Sequence, residues 1–195
     1  MKKSNGELNK FNLAVFISGR GSNLKSIINF SLKKNSIYNV KLVISNNKNA
    51  NGLKLAKKRK IENYVINFTN SKKLSKKVLL KLKKENIKLI CLAGFMKILP
   101  YYFIKLYRGK IINIHPSLLP KYKGLKTHER VIQNKEKYTG CTVHYVNKHL
   151  DSGKIILQKK IKVFKHDTAE SIKKRVLDKE HQIYFEAILK IFNAV

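Results

Sequence analysis

The 195-residue chain reads as an α/β protein built on a single doubly wound, mostly parallel sheet with helices on both faces. Three observations lead there. Short apolar runs alternate with stretches whose apolar residues recur at helical spacing, the pattern of successive strand–helix–strand units. The runs are apolar at almost every position, as strands covered on both sides must be. The first run ends in a glycine loop that opens a helix, the first turn expected of such a sheet.

The elements follow in order. Leu13 to Ile17 is predicted as the first strand, and Leu24, Ile27 and Ile28 mark the helix after it. Val40 to Ser45 is a second strand, Ala50 to Lys60 a helix, and Tyr64 to Asn67 a third strand. Lys72 to Glu85 carries Leu74, Val78 and Leu82 on one helical stripe. Leu89 to Ala93 and Ile111 to His115 are the fourth and fifth strands. Past residue 138 the pattern changes. Cys141 to Val146 and Lys154 to Gln158 read as strands around a turn at Asp151-Ser152-Gly153, and Asp167-x-x-Glu170 reads as a capping box opening a last helix.

Composition narrows the function. An apolar content of 43% suits one compact domain over residues 11–195, preceded by a polar extension over 1–10. No run is long enough for a membrane helix, and the polar N-terminus has no signal-type core. Cys91 and Cys141 lie far apart with no CxxC partner, so reduced thiols in a cytoplasmic protein are expected. The formal charge of +32 is extreme. It suggests a nucleic-acid binder, but the lysines are scattered, arginine is scarce and no aromatic-interleaved basic stripe appears. Small anionic substrates are the expected partners instead, with no nucleic acid and no membrane, for a monomer or homodimer.

Four positions carry chemistry. Gly19-Arg20-Gly21-Ser22-Asn23 half-matches the dinucleotide fingerprint but has Leu24 in place of the third glycine, and no Walker lysine follows. The amides of Gly21, Ser22 and Asn23 at a helix N-terminus suit a single phosphate monoester; a tight turn capped by Ser22 or Asn23 is the structural alternative. Asn113 and His115 are two apart at the end of a strand that stops at Pro116, so they project together. An amide beside an imidazole is what a developing oxyanion needs. Asp151, a turn residue by default, gains a role if the fold brings it to His115, whose pKa it would raise. Glu180 falls within the apolar stripe of Ile172, Val176, Ile183, Ala187 and Ile191, where a carboxylate needs a partner. No ligand spacing supports a metal, and His128, His144 and His181 read as surface or supporting groups.

At these residues the chain resembles the phosphoribosylglycinamide formyltransferases. The matching blocks are Ile17 to Leu24, Leu92 to Leu99, Ile112 to Tyr122 with Gly124, and Leu150-Asp151-x-Gly153, with a weaker match at Glu180-His181 and Tyr184. Asn-x-His-Pro-Ser-Leu-Leu-Pro is shared with other formyl-tetrahydrofolate enzymes. The Gly-Ser-Asn loop and the length single out this branch, since methionyl-tRNA formyltransferases and formyltetrahydrofolate deformylases carry an extra domain for which no room is expected here.

The resemblance implies a Rossmann-like formyltransferase fold, with a phosphate-binding N-terminal half and a folate-binding, catalytic C-terminal half. It implies formyl transfer from 10-formyltetrahydrofolate as co-substrate to the amine of glycinamide ribonucleotide, without a metal. Gly21, Ser22 and Asn23 would hold the phosphate and Glu180 the ribose hydroxyls. Met96, Lys97, Ile98, Leu99, Asn113 and Val146 would bind the folate, with the backbone from Val146 to Asp151 at the pterin edge. Asn113, His115 and Asp151 would be the catalytic set. Lys97 stands where the family often has arginine, and Lys126 where histidine is common. The competing readings are a formyl-folate hydrolase with water as acceptor, and a basic nucleic-acid-binding protein on a formyltransferase scaffold.

Overall fold

The computed structural model describes residues 10–66 and 72–192. Strand β1 (Phe11–Ile17) leads into helix α1 (Ser22–Ser31), then β2 (Tyr38–Ser45), α2 (Asn51–Lys58), β3 (Glu62–Val65), α3 (Lys72–Lys84) and β4 (Ile87–Leu92). The second half runs α4 (Tyr101–Leu106), β5 (Lys110–His115), α5 (Thr127–Gln133), β6 (Tyr138–Tyr145), β7 (Ile155–Lys162) and α6 (Ala169–Phe192). Among the described residues no helix is long and apolar enough to cross a membrane.

The strands form one sheet in the order β3-β2-β1-β4-β5-β6-β7. The first five pair in parallel, while β6 and β7 are antiparallel to their neighbours. The chain leaves β1 for β2 and β3 on one side, then returns to β4 on the other. That reversal opens a crevice at the C-terminal ends of β1 and β4, where sheets of this kind take ligands. The antiparallel pair β6–β7 needs no helical crossover, so its connection is free to carry Asp151.

Strand alternation builds two cores. Leu13, Val15 and Ile17 of β1 face one side, packed with Leu24 and Ile27 of α1 and Val176, Ile183 and Ala187 of α6. Ala14 and Phe16 face the other, with Val78 and Leu82 of α3 and Phe103 of α4. All of these side chains are within 1% of full burial. At about 25 cal/mol per Å² of apolar surface removed from water, such packing is the main favourable contribution to the fold.

The predicted strands and helices are present, several with shifted ends. The third strand is Glu62–Val65; Asn67 lies outside the described residues, as does most of the 1–10 extension. The short helices α4 and α5 carry too few turns for a periodic signal and were not predicted. The capping box is displaced by one residue. Thr168 and Ser171 exchange side-chain and backbone hydrogen bonds at 3.0 and 3.1 Å, while Asp167 accepts from the Phe164 N–H and pairs with Arg175. Glu170, the expected closing residue, pairs with Lys173. Cys91 and Cys141 are buried free thiols.

Candidate active site

Strand β5 delivers Asn113 and His115. Ile112 and Ile114 point into the core under α6 and Ile111 into the opposite core, so period-two alternation puts Asn113 and His115 on the Ile111 face. On that face the segment after β6 meets the end of β5, and Asn113, His115 and the residues from Val146 to Asp151 line one cleft. Gly153 permits the return, since a Cβ there would lie 1.7 Å from the Tyr145 carbonyl oxygen.

This return brings Asp151 to the strand end, as its proposed role required. Its Oδ2 lies 3.3 Å from His115 Nδ1 and accepts the Gly124 N–H at 2.9 Å, and Oδ1 lies 3.5 Å from Asn113 Nδ2. Asp151 adopts φ +44°, a left-handed conformation that costs an L-residue about 1–2 kcal/mol. The carboxylate is thus held by tertiary contacts against a local preference.

His115 is anchored at its other nitrogen, where Nε2 donates to the Tyr122 carbonyl at 2.8 Å. A carbonyl only accepts, so Nε2 carries a proton and Nδ1 is the nitrogen turned toward the carboxylate. The turn supplying that carbonyl is itself fixed. Ser117, fully buried, donates to the Lys121 carbonyl at 2.7 Å, and Thr142 donates to the Ser117 carbonyl at 2.6 Å while accepting the Leu119 N–H.

The charge balance corrects one expectation. From sequence, Asp151 should raise the His115 pKa. Burial of His115, 5% exposed, is the larger influence and takes the pKa below its ordinary value; the Tyr122 carbonyl and the Asp151 charge offset it only in part. Desolvating an imidazolium costs more than one carboxylate at this separation returns. Burial also pushes the Asp151 carboxyl up, but hydrogen bonding to the carboxylate, including that from the Gly124 N–H, outweighs it, and the net shift is downward.

These groups line a cleft of about 490 Å³, a size suited to a small organic molecule. Met96, Lys97, Ile98 and Leu99 form one wall and Val146 to Asp151 the other. Met96 and Ile98 are 66% and 73% exposed, apolar surface open to a ligand, whereas Leu99 is buried and belongs to the core as well. His144 also lines the cleft and is 2% exposed, not a surface group. Sequence reasoning passed over its position. It sits directly opposite Asn113 in the β5–β6 register, a pairing between distant segments that periodicity does not reveal.

The residues that line the cleft do not include the glycine loop. Gly21 is the N-cap of α1 at φ +79°, and no side chain caps the helix; the alternative of a turn capped by Ser22 or Asn23 is not made. The first-turn amides lie at the positive end of the helix dipole, with no capping side chain at Gly21. Asn23 instead donates to Glu180 Oε2 at 2.7 Å, joining α1 to α6, and Asn23 Oδ1 is buried without a partner. Burial pushes the Glu180 carboxyl up to about 7, with the Asn23 hydrogen bond opposing. The loop is tied to the cleft wall where Ser18 Oγ accepts the Met96 N–H at 2.7 Å.

Comparison with known proteins identifies the family. The formyl transferase family profile matches residues 11–188. The chain is 42% identical over 175 residues to the phosphoribosylglycinamide formyltransferase of Haemophilus influenzae, covering 88% of this chain and 82% of that protein. It is 40% identical over 185 residues to the trifunctional purine biosynthetic protein adenosine-3 of Gallus gallus, covering 93% of this chain but 18% of that protein. It thus spans less than a fifth of the longer relatives it matches. The phosphoribosylglycinamide formyltransferase of Coxiella burnetii, solved in complex with CHES, has a TM-score of 0.86 at 40% identity, covering 95% of this chain and 88% of that one. With the fold, the motif positions and these relatives in agreement, the chain belongs to the formyl transferase family, among the phosphoribosylglycinamide formyltransferases.

Proposed function

We propose that this protein transfers the formyl group of 10-formyltetrahydrofolate to the primary amine of glycinamide ribonucleotide, a step of purine synthesis carried out in the cytoplasm. The observation that carries the reading is the meeting of Asn113, His115 and Asp151 on one wall of an open cleft. The folate lies in that cleft against Met96, Lys97, Ile98, Leu99 and Val146. The ribonucleotide phosphate sits on the amides of Gly21, Ser22 and Asn23, and Glu180 accepts its ribose hydroxyls. One formyltransferase domain holds both substrates, the phosphate in its N-terminal half and the folate in its C-terminal half.

The amine attacks the formyl carbon and the formyl oxygen gains negative charge. Asn113 Nδ2 stabilises that charge together with a proton that His115 Nδ1 takes up as the attacking amine loses it through water near Asp151, and that the ring passes on to the folate nitrogen. Burial disfavours the imidazolium while the cleft carries no new charge, and a forming oxyanion beside it reverses the balance. The interaction is therefore stronger in the transition state than in the ground state, as rate acceleration requires. The tetrahedral intermediate collapses by breaking the bond to the folate nitrogen. The amine loses a proton through water near Asp151 and the folate nitrogen gains one, so the reaction is proton-neutral.

A spectrophotometric formyl-transfer assay with and without glycinamide ribonucleotide tests this. Turnover that depends on the ribonucleotide is expected. Formate release in its absence would assign a hydrolase, and no turnover in either arm would overturn the reading.

A further inference from the structure

The amide of Asn113 has two ends of nearly the same shape, and only one can serve an oxyanion. With its NH2 group facing the forming charge it stabilises it; with its carbonyl there it repels it. Something must decide between the two. We propose that His144 is a positioning residue that sets the orientation of the Asn113 amide.

The argument starts at the far side of the His144 ring. Its Nδ1 lies 2.9 Å from the Tyr145 carbonyl oxygen. That oxygen only accepts, so Nδ1 carries a proton, and in the neutral ring Nε2 is a bare lone pair. Nε2 lies 3.2 Å from Asn113 Nδ2. Asp151 Oδ1, a second acceptor, lies 3.5 Å from the same nitrogen. A carbonyl oxygen turned toward two acceptors would be repelled by both. Only the NH2 end of Asn113 fits, and one of its hydrogens is enough for this pair. The other remains for the cleft that Asn113 lines.

Burial strengthens the arrangement. His144 is 2% exposed, so water does not compete for Nε2, and an unmade hydrogen bond there would cost more than at a surface. The β5–β6 register places His144 directly across from Asn113, so the contact is built into the sheet and does not depend on a loop. Were the ring to carry its proton on Nε2 instead, it would donate to Asp151 Oδ1, 3.6 Å away, and the Asn113 amide would turn over.

The effect on rate rests on the formyl-transfer reading; the contact does not. Two measurements keep them separate. In protein labelled with 15N-histidine and 15N-asparagine, NMR is expected to show His144 protonated at Nδ1 and bare at Nε2, with one Asn113 amide proton shifted by its acceptor. His144→Phe should abolish that shift, and His144→Gln, which keeps an acceptor near the Nε2 position, should retain it. In the transfer assay His144→Phe is expected to lower kcat roughly ten- to a hundredfold, part of the ~100–1000-fold that outright loss of an oxyanion donor costs. Both KM values should stay within about twofold, and His144→Gln should recover most of kcat. An Nε2-protonated ring overturns the proposal, as does a His144→Phe protein with wild-type kcat and unchanged Asn113 signals. If His144→Phe does not fold, the wild-type tautomer decides. A wild-type protein without transfer activity refutes the function, and the NMR result still settles the role of His144.

Discussion

Asp151 Oδ2 stands 3.3 Å from His115 Nδ1, although one residue closes a central strand and the other lies in the connection between two later strands. The separation is long for a strong ion pair. Asp151 spends its shorter bond, 2.9 Å, on the Gly124 N–H, so the backbone holds the carboxylate in place and the imidazole faces it without being locked. A proton taken up at Nδ1 can then turn to a substrate oxygen.

Asp151→Asn tests this arrangement. The asparagine carbonyl can still accept the Gly124 N–H, so the fold and its Tm should hold. The charge opposite His115 is lost, and kcat should fall about a hundred- to thousandfold. A variant that turns over near the wild-type rate would remove Asp151 from the mechanism.

Gly21→Ala tests the phosphate loop. Gly21 has φ +79°, and a Cβ there would come within 2.8 Å of the Gly52 Cα, a backbone atom that cannot swing aside. Left-handed strain and overpacking together should cost about 1–3 kcal/mol, lowering Tm by several degrees. The KM for glycinamide ribonucleotide should rise as well. Calorimetry and steady-state kinetics would show both effects, and an unchanged Tm would contradict the steric account.

Glu180 predicts a pH dependence of binding. Its carboxyl is pushed up from 4.5 to about 7 by burial, so it ionises only as pH rises through neutrality. A carboxylate accepts from ribose hydroxyls better than a carboxylic acid does. The KM for the ribonucleotide should therefore fall as pH rises from 6 to 8, and Glu180→Gln should flatten that profile. Stability runs the other way. A raised folded-state pKa contributes stability that is complete below 4.5 and lost as pH rises through about 7. Denaturant unfolding at pH 5 and pH 8 should show Glu180→Gln losing less stability with rising pH than wild type.

The charge of +32 predicts sensitivity to salt. Raising ionic strength shortens the range over which the lysines attract anionic substrates. Both KM values should climb while kcat at saturation stays constant. A collapse of kcat at saturating substrate would show that salt disturbs the site itself.

Much of this protein is legible in its residue order. Unbroken apolar runs such as Leu13 to Ile17 mark strands buried on both sides, and the stripe through Ile172, Val176 and Ile183 marks α6, because period alone reports which faces meet the core. The pairing of Asn113 with His115 on one face follows from the same local rule. The short helices α4 and α5 escaped because one or two turns carry no period, and the capping box slipped from Asp167 to Thr168 because two capable residues stand side by side.

What residue order left open, only the packed molecule decides. Asp151 reaches His115, and His144 faces Asn113, through strand register and a chain reversal at Gly153, contacts between segments far apart in sequence. The protonation balance of His115 also lies beyond local reading. A neighbouring carboxylate is visible in the motif, but the depth of burial that outweighs it exists only once the surrounding elements have excluded water.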